Sequence, residues 1–432
     1  MSAEKTFAIK GHLIRNTDPG SLEVLRDSWA ICEGGVVAGV YPVLPEKYAG
    51  IDVTDYGDRL IIPGLTDIHL HAPQYAFRGL GMDLELLEWL ETYAFPEESK
   101  YADLDYAEKA YEIFADDLVA SVSTRFCVYG TVHVEATVRL MQMMEDRGLH
   151  ALVGKVNMDR NSPGVLRESS AEQSLADTRA WAEECGKFRN VRPILTPRFI
   201  PTCSDELMHG LGRIRKETGM ALQSHLSENP AEVAWVIRLC PESKGYVDAY
   251  DSFGVLDGGR VVMAHCVYND FQELETLKTK GVYLAHCPTS NSNLSSGIAP
   301  VRMWLDLGLN CGIGSDIAGG HSLSLFHTMA HAIQTSKLRR RILDGSLAPL
   351  TVPEVFYMAT RGGGSLFGKV GDLSEGYAFD AVVLDDSRML SPFPLSQMQR
   401  LERMIYQVGP DGNYVHAKYI GGKLVYSADK IR

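Results

Sequence analysis

Residues 67–77, DIHLHAPQYAF, place two histidines one residue apart directly behind the apolar run LIIPGL. Imidazole is the commonest side-chain metal ligand, and residues i and i+2 of a strand point to the same side. Two such rings reach one ion, with bonds of about 2.0–2.1 Å for zinc. Strict alternation puts Leu65, Asp67, His69 and His71 on one face and Thr66, Ile68 and Leu70 on the other. If the strand belongs to a barrel, both histidines face its axis, while Ile68 and Leu70 face the helix layer. An isolated His-Leu-His reads equally well as a buried, hydrogen-bonded pair. The balance shifts because His225 ends ALQSHLSE, His265 ends VVMAHC and Asp316 ends CGIGSD. Each follows an apolar strand-like run and precedes a polar or Gly-containing loop. Ligand-type residues at the ends of four predicted strands point to a metal site.

Those strands need a scaffold that gathers their ends. Eight short apolar segments recur along the chain: GLTDIHLH, VSTRFCVYG, ALVGKVNM, RPILTPRF, ALQSHLS, VVMAHCV, VYLAHCP and NCGIGSD. Amphipathic stretches such as LADTRAWAEECGKF, SDELMHGLGRIRKETG, PAEVAWVIRLC and DFQELETLKTKG lie between them, the last ending on Gly281 at a C-cap position. This alternation predicts an α/β fold, a (β/α)8 TIM barrel over residues 63–370, with its chemistry at the C-terminal strand ends. Residues 1–62 and 371–432 alternate differently, in WAICEGGVVAGVYPV, FDAVVLDD and HAKYIGGKLVYS. They predict a small β-sandwich built from both chain ends.

Composition narrows the function. The formal charge, 42 − 55 = −13, leaves no general basic field for nucleic acid or anionic lipid. The run KLRRR at 337–341 reads as the solvated face of a helix. No apolar run reaches membrane-spanning length, and the opening residues resemble neither a signal nor a transit peptide. Eight cysteines scattered without a CxxC pair fit reduced thiols, so a cytoplasmic protein is expected. His-Val-Glu at 133–135 matches half of the zinc motif of nucleobase deaminases on another fold, but no PCxxC follows. His133 therefore reads as a packing residue.

The pattern of HxH followed by His, His and Asp on later strands resembles the amidohydrolase superfamily of metal-dependent barrel hydrolases. Within it, PGLTDIHLHAPQY, GKVNMD, TPRF, QSHLSEN, AHCPTSN and GSDIAGG are similar to the guanine deaminases. The resemblance implies one metal ion per subunit, zinc or iron, on His69, His71, His225 and Asp316. Binuclear relatives carry a carboxylated lysine at the end of strand four, where this chain has Arg198 and Phe199; Lys155, on strand three, reads as structural. Glu228, three residues beyond His225, is placed to move protons, although it also reads as a helix N-terminal glutamate. His265 and Asp316 are the implied pair that polarises the attacking water.

Gln74, Arg198 and Phe199 are the implied purine-binding residues. An amide offers a donor and an acceptor, and a guanidinium offers paired donors. Trp89, with Tyr93, either covers the base or belongs to a helix core; His321 is a loop histidine without an assigned role. The implied reaction is attack of a metal-activated water on C2 of guanine, yielding xanthine and ammonia. Deamination of a related aminopurine or pterin, or a non-catalytic scaffold, are the alternatives. The implied assembly is a homodimer, and the only partner is a small purine base.

Overall fold

The computed structural model describes residues 6–407 and 414–430. Four strands open the chain: β1 (Phe7–Asp18), β2 (Ser21–Glu33), β3 (Val36–Tyr41) and β4 (Asp52–Pro63). The barrel region holds β5 (Leu65–His71), β6 (Ser123–Tyr129), β7 (His150–Gly154), β8 (Val156–Asn157), β9 (Val191–Pro193) and β10 (Thr196–Pro197). It continues with β11 (Leu222–Leu226), β12 (Val261–His265), β13 (Tyr283–His286) and β14 (Asn310–Ile313). Three strands close the chain: β15 (Ala381–Leu384), β16 (Val415–Ile420) and β17 (Lys423–Ser427).

The parallel sheet runs β11-β12-β13-β14-β5-β6-β7-β9, one strand for each of the eight segments. A bridge between Leu195 and Leu222 closes it: Leu195 N donates to Ala221 O at 2.9 Å and Gln223 N to Leu195 O at 2.9 Å. The predicted barrel is therefore present. Its fourth strand is broken into β9 and β10, each ending at a proline (Pro193, Pro197) that has no N–H to continue a ladder. Helices cover the outside as the amphipathic stretches predict. Asp205–Thr218 starts on Ser204, whose side chain accepts the Leu207 amide, and stops at Gly219 in the left-handed region. Phe271–Thr279 stops just before Gly281, at φ 67.

Both chain ends contribute to one seven-stranded sheet, β17-β16-β15-β4-β1-β2-β3. The predicted sandwich is this single sheet, whose strands bury Ile9, Leu13, Ala30, Ile61, Val383 and Ala417 in a core shared with Phe379. The outermost residues of the two end segments, 1–5 and 431–432, lie outside the described residues. Among the described residues no helix is long and apolar enough to cross a membrane.

Strict alternation fails at one place in β5. Asp67 pairs with Phe126 and Leu70 with Val128, so three steps on β5 match two on β6, which makes a bulge. Leu70 does join the outer core with Phe126 and Val128. Ile68 does not: it sits with Cys127, Val262, Ala264 and Ala285 inside the barrel. The bulge thus turns Ile68 inward, against the expectation from period two, as part of the floor beneath the histidines.

Candidate active site

The bulge and the strand ends set the geometry. His69 and His71 of β5 meet Asp316, with Nε2–Oδ1 distances of 3.2 and 3.4 Å. His225, on β11, places its Nε2 3.2 Å from Nε2 of His71. His265 shares the register of Val261 and Met263, which belong to the outer core. A left-handed backbone at His265 (φ 73) and Cys266 (φ 48) turns its ring into the barrel instead. Ser227 and Asp316 are left-handed too, at φ 50 and 48. Each such non-glycine residue costs roughly 1–2 kcal/mol, and such strain concentrates at functional sites.

These donors fit a metal ion. Four ligands at about 2.0–2.1 Å on a tetrahedron lie about 3.3–3.4 Å apart. The three separations given above scatter around that edge. His69 is fully buried, yet neither of its ring nitrogens makes a hydrogen bond. Burial holds the His71 and His225 imidazoles well below their ordinary pKa, so they are neutral and their lone pairs are free for a ligand bond. Nδ1 of His225 donates to the Arg198 carbonyl at 2.7 Å, which directs its Nε2 toward the other ligands.

Glu228 lies beside this set. Its carboxylate is 3.3 Å from His265 Nε2, and its other oxygen accepts the Ser296 hydroxyl at 2.9 Å. Burial pushes the Glu228 carboxyl up to about 7, with Asp316 and Glu232 adding to the shift and His265 opposing it. Burial alone would lower the His265 imidazole, but the facing Glu228 and Asp316 carboxylates raise it above its ordinary value. Nδ1 of His265 is anchored on Asn291 Oδ1 at 2.9 Å.

The cavity beside the donors is lined by Gln74, Leu86, Trp89, Leu90, Arg198, Phe199, Glu228, Leu294 and Gly319. The expected base-binding residues Gln74, Arg198, Phe199 and Trp89 are thus brought together with the metal-ligand set. Tyr93 instead stacks on Phe77, with ring centroids 6.1 Å apart. His321 faces His327 and accepts from Asn293, and His133 precedes the helix Val134–Asp146; neither lines the cavity. Lys155 is ion-paired with Glu168.

Three residues escaped the sequence reading. Asn291 and Ser296 lie in PTSNSNLSS, a polar run whose serines and asparagines carry no individual signal. Glu98, in FPEES, is 2% exposed and contacts both Gln74 and Arg198.

The amidohydrolase family model matches residues 60–425. The chain is 37% identical to a guanine deaminase of Dictyostelium discoideum, over 98% of this chain and 99% of that protein. The chain belongs to the amidohydrolase family, among the guanine deaminases. It is 33% identical to a guanine deaminase of Escherichia coli, over 87% of this chain and 85% of that one. Its fold matches a crystal structure of guanine deaminase from C. acetobutylicum, which has guanine bound in the active site. That match has a TM-score of 0.94 and 42% identity, and covers 98% of this chain and 100% of the other. The family and the His/His/Asp cluster together make this amidohydrolase a metal-binding one.

Proposed function

We propose that this amidohydrolase hydrolyses guanine at C2 to xanthine and ammonia, with one zinc ion per subunit held by His69, His71, His225 and Asp316. The observation that carries this reading is a single cavity joining the buried cluster of His69, His71, His225 and Asp316 to Gln74 and Arg198. A relative at 42% identity with guanine bound in its active site supports the substrate. A three-histidine, one-carboxylate set serves zinc and iron alike, and zinc is the ion proposed.

When bound, the ion supplies a Lewis acid and a water acidic enough to deprotonate near neutral pH. Glu228 accepts that proton, delivers it to N3 as oxygen adds to C2, then takes the remaining proton from that added hydroxyl and passes it to the exocyclic amine, so that the C2–N bond breaks and ammonia leaves. A carboxyl near pH 7 can give and take a proton at comparable cost, as this shuttle requires. His265, 3.7 Å from Asp316 Oδ2 and 3.3 Å from Glu228, orients the water together with Asp316. Arg198 donates to the purine acceptors, Gln74 reads the same edge, and Phe199 and Trp89 provide apolar faces for the ring.

The division into an end sheet (1–62 and 371–432) and a barrel (63–370) fits β4 ending at Pro63 and β15 starting at Ala381. All eight cysteines are free, as a reducing cytoplasm allows. A homodimer is proposed on the family resemblance and is checked by sedimentation.

Ammonia release from guanine, 8-oxoguanine, a pterin and cytosine tests the substrate. Guanine is expected to give the highest kcat/KM, and a better alternative overturns the assignment. Metal analysis of protein purified without chelator tests the ion, with zinc expected and iron or no metal overturning it.

A further inference from the structure

Gln74 and Arg198 lie in distant parts of the sequence, yet one carboxylate holds both. Glu98 Oε1 accepts Gln74 Nε2 at 2.8 Å, and its Oε2 accepts Arg198 Nη1 at 2.6 Å. Gln74 Oε1 in turn accepts the Ala318 amide at 3.2 Å, so the side-chain amide is fixed at both ends and cannot flip. Arg198 also lies over the Phe95 ring, 5.1 Å from its centroid. Phe95 and Glu98 share the short helix Phe95–Ser99, which follows the segment carrying Leu86, Trp89 and Leu90 into the cavity.

We propose that Glu98 is the positioning residue of the base pocket and sets its charge. This rests on the reading of the chain as a guanine deaminase. By pairing with the Arg198 guanidinium, Glu98 leaves no uncompensated cation at the edge that reads the base, which suits a neutral purine. Xanthine, the product, is a stronger acid than guanine and carries negative charge as the pH rises past neutrality. An uncompensated buried Arg198 would hold that anion, because an unpaired charge in a low-dielectric site attracts an opposite one strongly. Glu98 therefore serves twice. It orients the two groups that read guanine, and it keeps the pocket from retaining the product.

The test compares KM and kcat for guanine with the inhibition constant of xanthine from pH 6 to pH 9. It uses the zinc-loaded wild type, Glu98→Gln, Glu98→Asp, and the double variant Glu98→Gln/Arg198→Met. Glu98→Gln should raise KM about ten- to a hundredfold, the loss of one charge-assisted hydrogen bond, with a smaller change in kcat. Its xanthine inhibition constant should fall, increasingly so at higher pH. Glu98→Asp should show the KM effect in part and no gain for xanthine. The double variant should lose the gain for xanthine, because the cation is gone. Equal weakening of guanine and xanthine at every pH, or an unchanged KM, would overturn the proposal. Should Glu98→Gln fail to fold, Glu98→Asp and the double variant carry the comparison, and an unchanged KM for guanine, or tighter xanthine binding, in Glu98→Asp overturns it. Wild-type turnover of guanine is measured first, so failure of the substrate reading is separate from failure of the role given to Glu98.

Discussion

Two clusters of buried polar groups sit in this barrel, and they differ in how completely they are satisfied. Where the barrel meets the end sheet, Arg125 grips Asp380 through Nε at 2.6 Å and Nη2 at 2.9 Å. Asp380 also accepts the Gly421 amide at 2.8 Å. Lys418 donates to the carbonyls of Leu118, Ser121 and Ser123 at 2.7, 2.9 and 2.9 Å. At the other cluster, neither ring nitrogen of His69 makes a hydrogen bond and the Nε2 atoms of His71 and His225 face each other. Buried polar groups are normally paired, so a cluster completed by its own chain is architecture. A buried cluster left incomplete is arranged for something the chain does not supply.

Breaking each cluster should therefore damage different properties. Glu228→Gln removes the proton shuttle without removing a ligand, and kcat should fall by about 10²–10⁴. Metal content measured on the same sample should be unchanged; loss of metal would place Glu228 among the ligands. Arg125→Met strands Asp380 and should cost about 3–5 kcal/mol of stability in denaturant unfolding. The kcat of the protein that remains folded should be close to wild type.

His150 touches Arg125, and burial, with the Arg125 charge adding, pushes its imidazole down to about 4. The folded protein thus binds this proton less readily than the unfolded chain does. The stability that follows is fully present above about pH 6.5, the unfolded value, and is lost as pH falls toward about 4. His150→Gln should flatten that acid slope by about 1–2 kcal/mol, read from melting curves at successive pH values. The smallest effect is expected from Ser296→Ala, which removes one hydrogen bond to Glu228. A loss of about 1 kcal/mol in activation free energy should appear in kcat, with the melting temperature barely moved.

The contrast also explains what could be read from sequence. The eight barrel strands were legible because each is a short apolar run flanked by turn residues. His69, His71, His225, His265 and Asp316 were legible because ligand-type side chains ending such runs are conspicuous. Ile68 was not, because a bulge is a property of two strands in register and leaves no mark on one of them. His265 reaches the axis only through a left-handed backbone that its sequence does not announce. Glu98 was the least legible of all. Its partners are 24 and 100 residues away along the chain, so only folding brings the three together.

A single residue, Gly64, separates β4 from β5, and so joins the end sheet to the first barrel strand. The neighbours that complete β4 on its far side are β15 and then β16, near the end of the chain. During synthesis the growing polypeptide must therefore carry an open strand edge, and Arg125 destined for burial without its counterion, until Asp380 and β15 are made. Translation order and assembly order run against each other here. Strands β15 and β16, made long after the first barrel strand and its two histidines, complete the support on which that strand is mounted.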